Sequence, residues 1–328
     1  MIEYLYMKKI QIGIVGYGNL GKAAETAIAE SRDMQVAAVF TRRDPATVKS
    51  TAKCVKFDKI NDYAGKIDVM LLCGGSASDI LDQAPEIIKN FNTADSFDTH
   101  AKIQGHYEHM DKLAKQSGRT AVISAGWDPG LFSLNRVVFD SVLSGGIINT
   151  FWGKGVSQGH GDAIRKVAGV KYAVQYTIPK TAAINSAKSP AGATLTARDK
   201  HLRECFVVAE SGADKQKIQN EIITMPNYFA DYDTAVHFIT EAQFLKNHTK
   251  MPHGGKVINY KNTQSGDFAM EFSIELASNP YFTAKVLVCY LRACHRLFTE
   301  KKYGAFTVLD IPPSYLSEKN RKDLYKFI

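Results

Sequence analysis

The sequence predicts an α/β protein: a doubly wound parallel sheet followed by a second, α+β domain. Three observations carry this. The first is a strand–glycine–helix–strand unit over residues 12–44, IGIVGYGNLGKAAETAIAESRDMQVAAVFTRRD. The second is a series of short apolar strands, Asp68–Cys73, Thr93–Ser96 and Thr120–Ser124, alternating with helical stretches at Asp79–Asn90 and Tyr107–Gln116. Strands that alternate with helices are joined by crossovers and therefore run parallel. The third is a change of texture after about Phe132, where the alternation weakens and glycine-rich polar clusters separate strand-like runs.

Taken in order, Gln11–Val15 is an apolar strand, and Gly16-Tyr17-Gly18-Asn19-Leu20-Gly21 after it fits GxGxxG. An alanine-rich helix, Lys22–Glu30, and a second strand, Met34–Phe40, complete a Rossmann-type unit. In that context Gly16 permits the tight turn, Gly18 lets backbone approach a pyrophosphate, and Gly21 lets the helix pack close to the strand. The helix N-terminus offers free N–H groups to the diphosphate. An NAD-binding chain places Asp or Glu where the second strand ends; here the residues are Thr41-Arg42-Arg43. Guanidinium forks match a 2′-phosphate, which a carboxylate repels, so the expected cofactor is NADP. Cys73-Gly74-Gly75-Ser76 is small enough to leave room beside it. Ligands of such sheets sit beyond the carboxyl ends of the strands. The loops Ser96-Phe97-Asp98 and Ala125-Gly126-Trp127-Asp128-Pro129 therefore face the nicotinamide side.

Composition limits the remaining classes. With 328 residues the chain is long enough for two cores, and 45% hydrophobic and 10% aromatic content is that of a globular enzyme. No run approaches a bilayer span and Met1–Met7 lacks signal-peptide features, so no membrane role is expected and those seven residues receive no function. The five cysteines form no CxxC pair and no zinc spacing, so no metal is expected; an odd count in a large chain reads as reduced thiols in a cytoplasm. The net charge of +8 is dispersed and lacks aromatic–basic RNA motifs. It suits an anionic small molecule and a phosphorylated cofactor rather than nucleic acid.

Residues 1–130 are assigned to the dinucleotide-binding domain and 131–279 to the substrate-binding and dimerisation domain. The latter contains strand-like runs at Tyr172–Ile178, Glu204–Ala209, Ala235–Ile239 and Phe268–Glu275. The clusters Phe151–His160 and Met251–Gly255 read as glycine-rich polar segments, and Ser186–Lys200 as an excursion. Pro280–Arg296 is a long amphipathic helix and Gly304–Asp310 a strand; residues 280–328 are the segment expected to return to the first domain.

VGYGNLG, FTRR, CGGS, the Asp98 loop, SAGWDPG, FWGKGVSQGH, QYTIP, Arg203 ahead of CFVVA, MPHGG and SNP occur in that order. Over essentially the whole length this resembles the meso-diaminopimelate D-dehydrogenase family. The resemblance implies a cytoplasmic homodimer that uses NADP to deaminate reversibly the D-centre of meso-2,6-diaminopimelate. The products are L-2-amino-6-oxopimelate (tetrahydrodipicolinate once cyclised), ammonia and NADPH, a route to lysine and diaminopimelate. It implies cofactor contacts from Gly16, Tyr17–Leu20, Thr41–Arg43, Cys73–Ser76, Ser96–Asp98 and Ala125–Pro129. It implies substrate contacts from Asp98, Asp128, Trp152, Gln158, Thr177, Arg203, His253 and Asn279. Two positions depart from the family pattern: Gly74 replaces a larger residue, and Lys102 stands where some members carry an acid.

The chemistry has a use for these residue types. The substrate carries the same groups at both ends, so the distal end must be fixed for one stereocentre to be presented. Arg203, His253, Thr177 and Asn279 are donors suited to a distal carboxylate, and Asp98 and Asp128 are acceptors for the reacting ammonium. Hydride loss needs a neutral amine, so the two carboxylates are the candidate catalytic pair, Asp128 leading and Asp98 assisting. Each residue also has an ordinary explanation. Asp128-Pro129-Gly130 is a common turn, Asp98 a turn cap, His253 a loop histidine, Trp152 a core ring and Arg203 a surface charge. The family pattern, not spacing, assigns the roles. The alternatives are another NADP-linked reductase, of the homoserine or dihydrodipicolinate type, and a noncatalytic NADP-sensing regulator.

Overall fold

The computed structural model describes residues 8–76 and 79–328; Met1–Met7 lie outside the described residues. The chain divides into two compact units, one built from residues up to Leu134 together with Pro280–Ile328, the other from Asn135–Asn279. The division thus falls at Leu134, four residues past the position read from sequence.

The first unit holds a seven-stranded sheet of β1 (Ile10–Val15), β2 (Met34–Thr41), β3 (Cys54–Lys56), β4 (Val69–Leu72), β5 (Asn92–Asp95), β6 (Thr120–Val122) and β14 (Gly304–Phe306). Its spatial order is β14-β6-β5-β4-β1-β2-β3, with every pairing parallel. Side chains alternate across a strand, so the buried runs feed two cores. Ile12, Ile14, Val69 and Leu71 join one core with Ala24, Ala27 and Ile28 of α1 (Asn19–Ala29) and with Leu287 and Leu291 of the long helix Asn279–Thr299. Val15, Met70 and Leu72 join the other, with Ile80 and Ala84 of α2 (Asp79–Ile87) and Met110 and Ala114 of α3 (Ile103–Ser117). Each fully buried Ile or Leu contributes about 1.5–3 kcal/mol relative to exposure. The order reverses between β1 and β4, which creates the crevice where such sheets bind ligands.

The second unit, entered within α4 (Leu131–Val142), contains two smaller sheets. One is three-stranded and antiparallel, β13-β12-β7, from β7 (Ile147–Trp152), β12 (His253–Thr263) and β13 (Gly266–Leu276). The other is β11-β10-β9-β8, from β8 (Gly155–Val156), β9 (Val170–Pro179), β10 (His201–Ala209) and β11 (Asp233–Phe238), with only β10 and β11 parallel. Cys205, Val207, Ile164, Ile218 and Phe229 pack under the second of these sheets.

Three sequence expectations need correction here. Phe151–His160 is not one polar segment: it contains the end of β7, all of β8 and the start of α5 (Gln158–Arg165). Likewise β12 begins at His253, inside the presumed Met251–Gly255 loop. The cause is that the buried faces of β7 and β12 carry asparagine. Asn149 donates to the Gly192 carbonyl at 3.1 Å and Asn259 to that of Phe139 at 2.9 Å, so polar residues occupy core positions and mask the alternation. The strand at Gly304 stops at Phe306 because Asp310 accepts from the Thr307 N–H and hydroxyl at 2.7 and 2.8 Å, folding the chain into a turn. All five cysteines are free thiols, and no helix among the described residues is long and apolar enough to cross a membrane.

Candidate functional site

In the first unit the glycine loop is shaped as its sequence requires. Gly16 lies at φ +88°, and a Cβ on Gly21 would stand 2.2 Å from the Gly16 carbonyl oxygen, which rules out any larger residue. Gly18 has open space around its missing Cβ and caps α1 without a side-chain bond, so the helix N–H groups face a clear approach. Tyr17 is buried; its hydroxyl donates to Glu25, and burial, reinforced by that carboxylate, pushes the phenol up to about 12. Glu25 in turn accepts from Ser50, Thr51 and Ala52, tying α1 to the segment after the arginine pair.

Thr41 is buried, and its hydroxyl accepts the Arg43 N–H at 3.1 Å. Arg43 donates to the Tyr17 carbonyl at 2.8 Å, and Arg42 pairs with Asp79 at 2.8 Å while two-thirds exposed. Each guanidinium has five donors and spends few of them here. An open N-terminal cradle beside two underused guanidinium groups fits a phosphorylated dinucleotide. Beyond β4, a Cβ on Gly74 would meet that of Asp79 at 2.6 Å, so a larger residue here requires Asp79 to shift. Cys73 donates its N–H to Val15 at 2.8 Å, and burial pushes its thiol up, which makes it an inert wall.

The loops after β5 and β6 carry the two carboxylates. Asp98 is exposed and its N–H donates to the Ser76 hydroxyl at 3.2 Å, linking it to the β4 loop. Phe97, expected to line the cofactor, has its ring fully buried against His106. Asp128 is half-buried in a turn closed by the Gly126 N–H to Pro129 carbonyl bond at 2.9 Å. A Cβ on Gly130 would stand 1.7 Å from the Gly126 carbonyl oxygen, so the turn admits only glycine there. Trp127 is buried edge-on against Phe132.

In the second unit the six remaining candidates form one connected patch. Arg203 and Thr177 are register partners on β10 and β9, and the guanidinium donates to the threonine hydroxyl. Thr177 also pairs with Gly155 of β8, whose missing Cβ leaves room for His253; a Cβ there would lie 2.4 Å from the ring. Two residues before His253, Met251 accepts the Asn279 N–H on its carbonyl at 2.9 Å and lies 3.7 Å from the Gln158 amide through its sulfur. Trp152 donates its N–H to His201 at 2.9 Å and stacks on that ring. His201 is two residues from Arg203 and so on the same face of β10.

Arg203 is the unusual member. It is 8% exposed, its guanidinium lies 4.0 Å from the Tyr232 ring centre, and its Nε has no hydrogen-bond partner. The reading of a solvated surface charge therefore fails. A buried cation without a counter-anion is costly, and an incoming carboxylate relieves that cost. Its field reaches neighbouring groups: burial first, then the Arg203 charge, holds His160 and His201 down to about 4. Burial likewise lowers His253.

His160 and His201 set a stability window. With a folded value near 4 against an ordinary 6.5, the unfolded chain takes up protons that the fold refuses, so stability falls as pH drops from about 6.5 through about 4. His201→Gln, which keeps an acceptor for the Trp152 N–H but does not titrate, should flatten that fall in a series of thermal melts. An unchanged acid slope counts against it.

Sequence reasoning missed Asp95, His106, His201, Tyr232 and Met251. The available signal was positional: Asp95 ends a strand immediately before a site loop, and His201 begins the strand that carries Arg203. Among the described residues no group of three His, Cys, Asp or Glu is placed to hold a metal ion.

Comparison with known proteins identifies relatives over nearly the whole chain. Residues 126–278 match the family model for the diaminopimelic acid dehydrogenase C-terminal domain. The meso-diaminopimelate D-dehydrogenase of Ureibacillus thermosphaericus is 54% identical, across 98% of this chain and 99% of its own. Among solved structures, a mutant meso-DAPDH from Clostridium tetani E88 with DAP superposes at TM-score 0.91 with 52% identity, covering 97% of this chain and 99% of that one. An engineered D-amino acid dehydrogenase bound to NADP+ superposes at 0.86 with 41% identity, with the same coverage of 97% and 99%.

Proposed function

This chain belongs to the meso-diaminopimelate D-dehydrogenase family, and from that membership we propose how its own residues carry the reaction. The enzyme deaminates the D-centre of meso-2,6-diaminopimelate with NADP as cofactor. Substrate, water and NADP+ give L-2-amino-6-oxopimelate, ammonium, NADPH and a proton, reversibly. Bound NADP supplies the hydride acceptor. The observation that carries the proposal is the buried Arg203, with its Nε left without a hydrogen-bond partner, in the connected patch of the second unit.

Arg203, with Thr177 and His253, takes the distal carboxylate, while Gln158, Trp152 and Asn279 close around the distal amino acid. Binding energy collected at that remote end fixes which stereocentre reacts. At the reacting end Asp98 and Asp128 hold the ammonium. Asp128 takes its proton, because a C=N bond forms only from a free nitrogen lone pair. The carboxylates then activate water against the imine carbon, and ammonia leaves as the carbonyl forms. The test is NADPH formation with the meso isomer, the L,L and D,D isomers and D-lysine. Activity confined to the meso form is expected, and equal rates with D-lysine would sink the distal clamp.

Preference for NADP over NAD rests on Arg42 and Arg43. Replacing both by alanine should raise the NADP dissociation constant about ten- to a hundredfold, taking about 1.5–3 kcal/mol for a lost charge-assisted bond. The NAD constant should barely move. An unchanged ratio of the two refutes the assignment.

The working form we propose is a homodimer. What supports it is that the second unit leaves Val137, Val138 and Val142 of α4 and Phe268 of β13 exposed, side chains that a second copy would cover. Five unbonded cysteines suit a reducing cytoplasm.

A further inference from the structure

We propose that Asp95, supported by His106, is the positioning residue that holds the Asp98 and Asp128 loops in a single register. This deepens the acid–base reading above and rests on it. Asp95 is the last residue of β5 and is 1% exposed. A carboxylate buried at that depth persists only when fully hydrogen-bonded. One of its oxygens accepts two backbone N–H groups, from Phe97 and Ser124, both at 2.9 Å. The other faces His106 Nε2 at 3.0 Å. Its main-chain carbonyl accepts the Ala125 N–H at 2.9 Å.

The donors identify the role. The ladder between β5 and β6 ends at the Ala94–Val122 rung. Past that rung the two loops lose sheet pairing, and both then bond to the same residue, one loop through Phe97 and the other through Ser124 and Ala125. Asp98 is one residue beyond the first anchor, and Asp128 three beyond the last. Ser124 sits at φ +55°, a conformation that a non-glycine residue holds only when its surroundings impose it. The surroundings here are the Asp95 bonds. His106, on α3 and 5% exposed, completes the arrangement from behind, with its ring 4.7 Å from that of Phe97. Asp95 touches neither substrate nor cofactor in this account; it sets where the two acceptors stand relative to each other.

The test uses the full-length enzyme with Asp95→Ala, Asp95→Asn, His106→Phe and His106→Gln, assayed well below each melting temperature. Displacing catalytic groups by about 1 Å costs about a hundredfold in rate, so Asp95→Ala should lose about that much in kcat. KM for meso-diaminopimelate should stay within about threefold, since the distal donors lie in the other unit. Asp95→Asn should recover most of the loss: its amide oxygen accepts the same two N–H groups, and its NH2 donates to the other tautomer of His106. His106→Phe keeps the ring contact but removes the donor and should lose about tenfold in kcat, while His106→Gln restores it. A kcat for Asp95→Ala near wild type, or an Asn variant as slow as the alanine one, overturns the proposal. Where Asp95→Ala does not fold, the His106 pair decides, and equal rates for Phe and Gln overturn it. Asp128→Asn is measured alongside. If that variant keeps its turnover, the acid–base reading itself is wrong; if it is slow while Asp95→Ala is fast, only the positioning role falls.

Discussion

Asp128→Asn should lower kcat by about 10²- to 10⁴-fold, the range for removing a positioned general base. That corresponds to about 2.7–5.5 kcal/mol of lost transition-state stabilisation at 1.36 kcal/mol per decade. Asparagine keeps the shape and hydrogen-bonding reach of the side chain, and the turn around it is closed by backbone bonds and by Gly130, so the loop should stand unchanged. NADP affinity, which we propose rests on the glycine loop and the arginine pair, should therefore stay within about threefold. The comparison that matters is turnover against coenzyme binding measured on the same preparation. Asp98→Asn should cost less, because Asp98 is exposed and its proposed role is to assist. A variant at Asp128 that turns over within tenfold of wild type would remove it as the leading base.

Arg203→Met should cut kcat/KM for meso-diaminopimelate by about 30- to several thousandfold, taking about 2–5 kcal/mol for a buried charge-assisted contact. Part of the loss should fall on kcat, because distal binding energy is used to orient the reacting carbon. Stability should move the other way. Arg203 is buried beside Tyr232 with an unpartnered Nε, and replacing an uncompensated cation by an apolar stem of similar length should leave the melting temperature unchanged or higher. Kinetics and thermal melts on one variant thus test a single idea, that the fold tolerates this charge for the sake of an anion. A fall in both stability and KM would contradict it.

The Rossmann-type half was readable because its signals are local. GxGxxG, the strand before it and the helix after it lie within twenty residues, and the arginine pair closes the second strand. The second half resisted for physical reasons. Asn149 and Asn259 occupy core positions of β7 and β12 and break the apolar alternation from which strands are read. Arg203 looked like a surface charge because its burial depends on Thr177 of a neighbouring strand and on Tyr232, contacts that sequence spacing does not encode. Asp95 was missed for the same reason: its partners reach from Phe97 to Ser124, 29 residues away, and only the parallel pairing of β5 with β6 brings them to one carboxylate.

Residues 280–299 of the long helix, and β14, belong to the first unit although they follow the whole of the second in the chain. During synthesis the nucleotide fold must wait, with one face of its sheet uncovered, until residues 280–306 have emerged from the ribosome. The inserted unit, uninterrupted from Asn135 to Asn279, is by then already outside and free to close. A product truncated before residue 280 is left with bare apolar strands for chaperones and proteases to find.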